Sequence, residues 1–237
     1  MTDFTERHVV VTGGTGALGL AVVEALLQAG AHCHVPCLGT HDPDTAPWRD
    51  HDRVTMTPGV DLTDETAVVA YYNDVPDLFA SVHLAGGFAM CRIENASAER
   101  IMAMLQSNLV SCFLCCREAT KRIRSLGDPN GGRIVNVASR PALEPRQGAR
   151  MTPYAVAKGG IATLTQALGA ELAPESILVN AIAPGTLDTP ANRKAMPKAD
   201  TSQWASCDDV ARTILFLAST ENRVTHGSVV PVYGGGG

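Results

Sequence analysis

The stretch Val10-Val11-Thr12-Gly13-Gly14-Thr15-Gly16-Ala17-Leu18-Gly19 (VVTGGTGALG) decides the fold, and it can be read in three registers. Gly14, Gly16 and Gly19 satisfy G-x-G-x-x-G. Thr12, Gly13, Gly16 and Gly19 satisfy T-G-x-x-G-x-x-G. A third register, T-G-x-x-x-G-x-G, fails at one place, where Ala17 stands for glycine. In each register the loop follows an apolar β-branched run, His8 to Thr12, and precedes a helix pattern from Leu18 to Gln28 with Gly30 as its stop. Strand, glycine turn and helix together put open backbone amides and the positive end of a helix dipole where a pyrophosphate can approach.

Outward from this loop, strand and helix patterns alternate to the end of the chain. Strands are expected at His32 to Leu38, Val54 to Val60, Leu78 to Leu84, Gly132 to Val137, Ile177 to Ile182 and Ser228 to Val232. A helix starts at Thr63-Asp64-Glu65, and others cover Ala98 to Ser125, Thr152 to Leu172 and Cys207 to Ala218. Gly39 to Asp52 is polar and contains proline, so it reads as loop or weak helix. The strands are nearly continuous in Val, Ile and Ala, as strands buried on both faces must be. The expected fold is α/β: one domain over 1–237, a doubly wound parallel sheet with helices on both faces. Gly234 to Gly237 reads as a flexible end.

Composition narrows the function. The 237 residues, 45% hydrophobic and 18% charged, suit a large α/β core. A net charge of −5 argues against nucleic acid or an anionic membrane as partner. No apolar run approaches the ~18 residues that cross a bilayer. No secretory leader is read, because the first apolar run begins at Val9 and enters the glycine loop directly. The seven cysteines are odd in number, so reduced thiols and a cytoplasmic location are expected. Cys112, Cys115 and Cys116 lie in an apolar helical run without a matching second ligand pair and read as core thiols, with no metal expected. His32, His34, His41 and His51 show no metal spacing, and Trp48 and Trp204 fall in loops, where they either wall a pocket or simply pack.

The chemistry is carried by Tyr154-Ala155-Val156-Ala157-Lys158. Residues i and i+4 share a helix face, so the Lys158 ammonium can approach the Tyr154 phenol. A phenol of pKa ~10 is too weakly acidic to serve as a base at neutral pH, and a neighbouring cation lowers that value.

With these residues in view, the chain resembles the short-chain dehydrogenase/reductase family along essentially its whole length. The matching segments occur in family order: Thr12 to Gly19, Asp61-Leu62, Ala85-Gly86-Gly87, Ser107-Asn108-Leu109, Asn136 to Ser139, Tyr154 to Lys158, Asn180 to Thr189 and Gly227 to Gly235. The resemblance implies a Rossmann-type fold and an NAD(P)-dependent oxidoreductase that interconverts a secondary alcohol and a ketone, or reduces a similar C=O or C=N bond. It implies Tyr154 as general acid/base and Lys158 as the cation that lowers its pKa and bonds the nicotinamide ribose. Ser139 would polarise the substrate carbonyl, and Asn108 would hold a relay water. The cofactor contacts implied are Gly13, Thr15, Gly16, Ala17, Leu18 and Gly19 at the pyrophosphate, and Cys37 and Leu38 at the adenosine ribose. They continue with Asp61 and Leu62 at adenine, Ala85, Gly86 and Gly87 at the ribose, and Pro184, Gly185, Thr186, Leu187 and Thr189 at the carboxamide. A small-molecule substrate is implied, with self-association as a homotetramer or homodimer.

The departures from the family pattern set further expectations. His83-Leu84-Ala85-Gly86 stands where the family usually has N-N-A-G. Ser139 and Tyr154 are 15 positions apart, two more than usual, so Arg140 to Thr152 carries extra residues at the pocket rim. Pro190 to Trp204, in the substrate loop near 187–204, is short and suggests a small or incomplete lid. Gly16-Ala17-Leu18-Gly19 and Ala85-Gly86-Gly87-Phe88 are also similar to dihydropteridine reductases, which hints at a flat, polar ring as substrate. At the end of the second strand, Cys37 and Leu38 carry neither the Asp of NAD enzymes nor the Arg or Lys of NADP enzymes. With no carboxylate there, and Thr40, His41 and Arg49 close in sequence, the reading leans to NADP over NAD. Two rivals remain at this level. A nucleotide-sugar epimerase suits the second glycine register but needs more than the 57 residues after Asn180. A non-catalytic NAD(P) sensor would suit a broken set of site residues, whereas Asn108, Ser139, Tyr154 and Lys158 are all present.

Overall fold

A computed structural model describes residues 2–39, 46–128 and 130–236. Strand β1 (His8–Thr12) is followed by helix α1 (Ala17–Gln28), β2 (His32–Cys37), β3 (Val54–Pro58), α2 (Glu65–Asp74) and β4 (Leu78–His83). The chain continues through α3 (Ala98–Met104), α4 (Ser111–Leu126), β5 (Gly132–Val137), α5 (Arg140–Leu143) and α6 (Thr152–Leu172). It ends with β6 (Ile177–Pro184), β7 (Leu187–Asp188), α7 (Pro190–Ala195), β8 (Ala205–Ser206), α8 (Cys207–Ala218) and β9 (Val229–Val232). Seven strands form one parallel sheet in the order β3-β2-β1-β4-β5-β6-β9, and β7 pairs with β8 in a separate two-stranded ribbon.

Side-chain alternation along the strands explains why both faces are covered. In β1, Val9 and Val11 enter one core with Val22, Leu26, Ile214 and Leu217 of α1 and α8, while Val10 enters the other. In β5, Ile134 and Val135 divide the same way. The second core packs α2, α4 and α6 through Tyr72, Cys115 and Ile161. The sheet order reverses beside β1, so the C-terminal ends of β1 and β4 open a crevice of the kind that takes ligands in such sheets.

Several expectations are corrected. The helix expected over Ala98 to Ser125 is three segments, because Leu105–Val110 winds as a π-helix between α3 and α4. The third strand stops at Pro58 and not Val60: Gly59 turns the chain out with φ +76°. The 187–204 loop carries α7, and β7 at its start pairs with β8 just beyond its end. Gly234 to Gly236 is a 3₁₀ turn and not a free end. Gly234 has φ +74°, and a Cβ there would lie 2.8 Å from Ala205 N, so the backbone is seated against that segment. Thr40 and His41, weighed for cofactor choice, lie outside the described residues, as does the 40–45 part of the Gly39 to Asp52 loop.

Candidate active site

The glycine loop is shaped by two close approaches. Gly13 has φ +67°, and a Cβ on it would meet Ala85 N at 2.8 Å. A Cβ on Gly19 would lie 2.2 Å from Gly13 O. Gly16, in contrast, has an ordinary extended backbone (φ −77°, ψ 167°), and Ala17 is the first helical residue. The gap in the third register therefore falls on a position that does not need glycine. Asp64, Ser97, Thr189 and Ser206 cap α2, α3, α7 and α8 through their side chains, whereas α1, like α4, α5 and α6, begins without a side-chain cap. Its leading amides have no intrahelical acceptor, the condition under which a helix start can take an anion. Thr15 lies in the turn itself, and Leu18 is already in α1, packed against the core.

The four candidate catalytic residues come from three places: Asn108 from the π-helical segment, Ser139 from the junction of β5 and α5, and Tyr154 and Lys158 from α6. Asn108 sits on the π-helical segment, fully buried, and its amide donates to Gly87 O and Met104 O at 3.1 Å each and to Ser107 Oγ at 3.2 Å. Asn108 Oδ1 is left buried without a partner. A Cβ placed on Gly86 would lie 2.5 Å from that oxygen and 3.6 Å from Lys158 Nζ, so both groups converge on the same point beside Gly86. Lys158 is buried on α6 and donates to Val137 O at 2.8 Å. Burial lowers its ammonium to about 8.

Tyr154 lies one turn earlier, its ring centre 5.9 Å from Lys158 Nζ. The expectation that Lys158 lowers the phenol pKa is not met in this arrangement. Burial raises Tyr154 above its ordinary value, and the group that pulls it back is the Ser139 hydroxyl. The physical reason is that burial brings the lysine down to about 8, below the raised phenol, so it has lost its charge by the time the phenol ionises. Ser139, after β5 at the start of α5, is itself buried with Oγ lacking a well-formed hydrogen bond, so its contact with Tyr154 is a close approach more than a completed bond. The two extra residues between Ser139 and Tyr154 are absorbed by α5 and a 3₁₀ turn at Pro145–Gly148. Gly148 packs on α6, where a Cβ would touch Ala155 Cβ at 2.7 Å.

Other positions are placed less simply. Asp61 Oδ1 accepts from Thr63 N and Thr63 Oγ1, both at 2.8 Å, which commits one oxygen to its own turn; Leu62 packs at the edge of the α2–α4–α6 core. Thr189 Oγ1 accepts from Asn192 N at 3.2 Å as the α7 cap. Pro184 ends β6, Gly185 N donates to Val232 O, Thr186 O accepts from Ala205 N, and Leu187 O accepts from the Asn192 amide. Cys37 is buried at the end of β2, while Leu38 is exposed. Ala85 N donates to Thr12 Oγ1, tying the β4 exit to the glycine loop.

Two features beside the site, a side chain and a cavity, were given no site role from sequence. Phe88 stands edge-on to Tyr154 with ring centres 5.0 Å apart and is 59% exposed, so it forms one wall of the open side. Beside Pro153, a cavity of 90 Å³ is lined by Ala89, Cys91, Arg100, Ala103 and Met104. Position alone, directly after Gly87, is the signal that could have found Phe88. Trp48 is buried by a separate cavity of 480 Å³ with Leu27, Gln28 and Arg53, away from these residues. No helix among the described residues is long and apolar enough to cross a membrane.

The family model described as short chain dehydrogenase matches residues 7–200. The uncharacterized oxidoreductase YgfF of Escherichia coli K12 is 31% identical over 246 residues, which cover 95% of this chain and 98% of that protein. Galactitol 2-dehydrogenase of Rhizobium johnstonii is 32% identical, over 97% of this chain and 94% of its own. Among solved structures, the apo form of a short chain oxidoreductase from Pseudomonas aeruginosa PAO1, described as containing an atypical catalytic center, superposes with a TM-score of 0.87 at 26% identity, covering 98% of each chain. On these matches the chain belongs to the short-chain dehydrogenase family, oxidoreductases acting on CH–OH and C=O groups.

Proposed function

We propose that this protein interconverts a secondary alcohol and a ketone, or reduces a similarly placed C=O or C=N bond, with Tyr154 as general acid/base and NAD(P) as the redox partner. The observation that carries the reading is the convergence of Asn108 and Lys158 beside Gly86, with Tyr154 one turn from Lys158 and close to Ser139, and with Asn108 Oδ1 and Ser139 Oγ buried and unpartnered. Buried polar atoms without partners are costly in a native fold and mark places where a ligand completes the bonding.

The residues fit a dinucleotide. The uncapped start of α1, with Gly13, Thr15, Gly16, Ala17, Leu18 and Gly19, suits a pyrophosphate. Asp61, Leu62, Ala85, Gly86 and Gly87 suit the adenosine side, and Pro184, Gly185, Thr186, Leu187 and Thr189 the carboxamide. Cys37 and Leu38 place no carboxylate at the end of β2, which favours NADP, because no negative charge there opposes a 2′-phosphate. A bound nicotinamide would supply or accept the hydride. The chain's own part is proton chemistry and orientation. Ser139 Oγ–H donates to the substrate oxygen, the Tyr154 phenol gives or takes its proton, and Lys158 holds positive charge beside both. Met102, Phe113 and Val156, exposed on α3, α4 and α6, support self-association as a homodimer or homotetramer through these helices.

Tyr154→Phe tests the mechanism. Turnover of a panel of secondary alcohols and ketones should fall at least ~100-fold, the lower end of general acid/base contributions, while cofactor binding by fluorescence is kept. Unchanged turnover would remove Tyr154 from the mechanism. Binding with no turnover in the wild type would favour the sensor.

A further inference from the structure

From the cluster beneath the sheet's crevice, we infer that His83, Cys112, Cys116 and Asn136 form a closed structural site for a zinc ion. The inference does not depend on the proposed reaction. His83 and Asn136 are register partners at the C-terminal ends of β4 and β5. Cys112 and Cys116 are one turn apart on α4, which lies over those ends, so i and i+4 spacing puts both thiols on the face toward the pair. All four residues are buried. The His83 nitrogen and the two sulfurs lie within 4.8 Å of one another.

Four of the six edges of the cluster compare with those of a tetrahedron, and the sulfur–sulfur and Cys112–His83 edges lie within 4.8 Å. With Zn–S of about 2.3 Å and Zn–N of about 2.0 Å, a tetrahedral centre needs sulfur–nitrogen edges of about 3.5 Å. Cys116 Sγ and His83 Nδ1 are 3.5 Å apart. Asn136 Oδ1 occupies the fourth corner, 3.3 Å from each sulfur and 2.8 Å from His83 Nδ1, so that last edge must open by about half an ångström. Zinc-bound histidines are held by a hydrogen bond at their other nitrogen. Here His83 Nε2 is paired with Ser81 Oγ at 2.8 Å and Tyr72 OH at 3.3 Å. The Asn136 amide is fixed in the same way, donating to Thr165 Oγ1 at 3.0 Å with its oxygen toward the thiols.

Binding replaces two S–H bonds by two Zn–S bonds and releases two protons, while the His83 proton moves from Nδ1 to Nε2, where Ser81 Oγ or Tyr72 OH accepts it; the two thiolates neutralise the ion so that no net charge is buried. Four protein ligands leave no open position, which makes the site structural and not catalytic. Without the ion, Asn136 Oδ1 accepts from both thiols and from His83, and that metal-free network is the competing account of the same distances.

The full chain, expressed with added zinc and dialysed against a weak chelator, should retain one zinc per chain by atomic emission. Refolding in cobalt(II) should give thiolate-to-cobalt charge-transfer absorption. Cys112→Ser/Cys116→Ser and, separately, His83→Asn should each lose the retained zinc. The second variant places the family's usual residue at that position and keeps both thiols, so it guards against a folding failure of the first. Folded wild type with no more zinc than the variants, by either route, overturns the site in favour of the metal-free network. Retention by the variants at the wild-type level overturns it by placing the zinc elsewhere.

Discussion

Raising the pH from neutrality to about 10.5 should stabilise the wild-type protein relative to a Lys158→Met variant by about 3 kcal/mol. Lys158 is only 5% exposed, and burial lowers its ammonium from 10.5 to about 8. Below pH 8 the folded chain holds a buried charge at full cost. Between 8 and 10.5 the unfolded chain keeps the proton that the folded chain has released, and stability rises wherever the unfolded state binds more protons. At 1.36 kcal/mol per pH unit, the interval from 8 to 10.5 is worth about 3 kcal/mol. Other groups titrate in the same range with the opposite sign. Burial pushes Cys33 up to about 12 and raises Cys115, Tyr71 and Tyr72, so their contributions are lost as the pH climbs. They are common to both proteins and cancel in the difference. Lys158→Met also removes the bond to Val137 O, an offset of about 1 kcal/mol that does not change with pH. Urea unfolding followed by circular dichroism across this range measures the difference directly. A flat difference, or one that falls with pH, would refute the claim that Lys158 is charged and desolvated in the fold.

Three further perturbations test the structure at other points. Gly86→Ala drives a methyl into Asn108 Oδ1, whose amide is pinned by three bonds; a thermal melt should show a loss of about 1–3 kcal/mol, and turnover should fall more than tenfold. Arg133→Met leaves the carbonyls of Ser219 and Asn222, which accept from its guanidinium at 2.9 and 2.8 Å, without their buried donor; at about 1–3 kcal/mol for each, denaturant unfolding should register a loss of about 2–6 kcal/mol. His34 is lowered to about 4, first by burial and then by His8 and His32. The unfolded chain therefore takes up its proton first on acidification, and about 3 kcal/mol of stability should disappear between pH 6.5 and 4 and be retained in His34→Gln.

The fold was largely legible because its signals are local and repeated. An apolar run, a glycine turn and a helix pattern each follow from backbone and burial requirements that a short window contains. The Tyr154/Lys158 pair was legible for the same reason, since helix geometry alone brings i and i+4 to one face. The lysine's direction was not: it depends on Val137 O at the end of another strand. Asp61 and Thr189 illustrate a second limit, because each engages its own turn or helix start through bonds that a family role does not reveal. The π-helical segment at Asn108 has no sequence periodicity of its own and shows only once α3 and α4 are docked. The cluster of Cys112, Cys116 and His83 was hidden for a related reason: the third partner lies on β4, almost thirty positions upstream in sequence.

Burial acts on the two site residues in opposite senses, and this fixes how the resting pair holds its protons. The Tyr154 phenol is raised and the Lys158 ammonium is lowered, so both shifts favour the neutral forms. At neutral pH the phenol keeps its proton and is set up to donate, while lysine, at about 8, still carries most of its charge. For the phenol to accept a proton instead, something must stabilise phenolate. In this structure Ser139 supplies that in part, and Lys158, at about 8 and turned to Val137 O, gives up its charge before the raised phenol ionises. A ligand that drew Lys158 Nζ from the carbonyl toward the point beside Gly86 that it shares with Asn108 Oδ1 would bring the charge into play. The same movement would give Asn108 Oδ1 the donor it lacks. The unpartnered oxygen and the misdirected ammonium are thus two parts of one unmet requirement, and a single bound group could satisfy both.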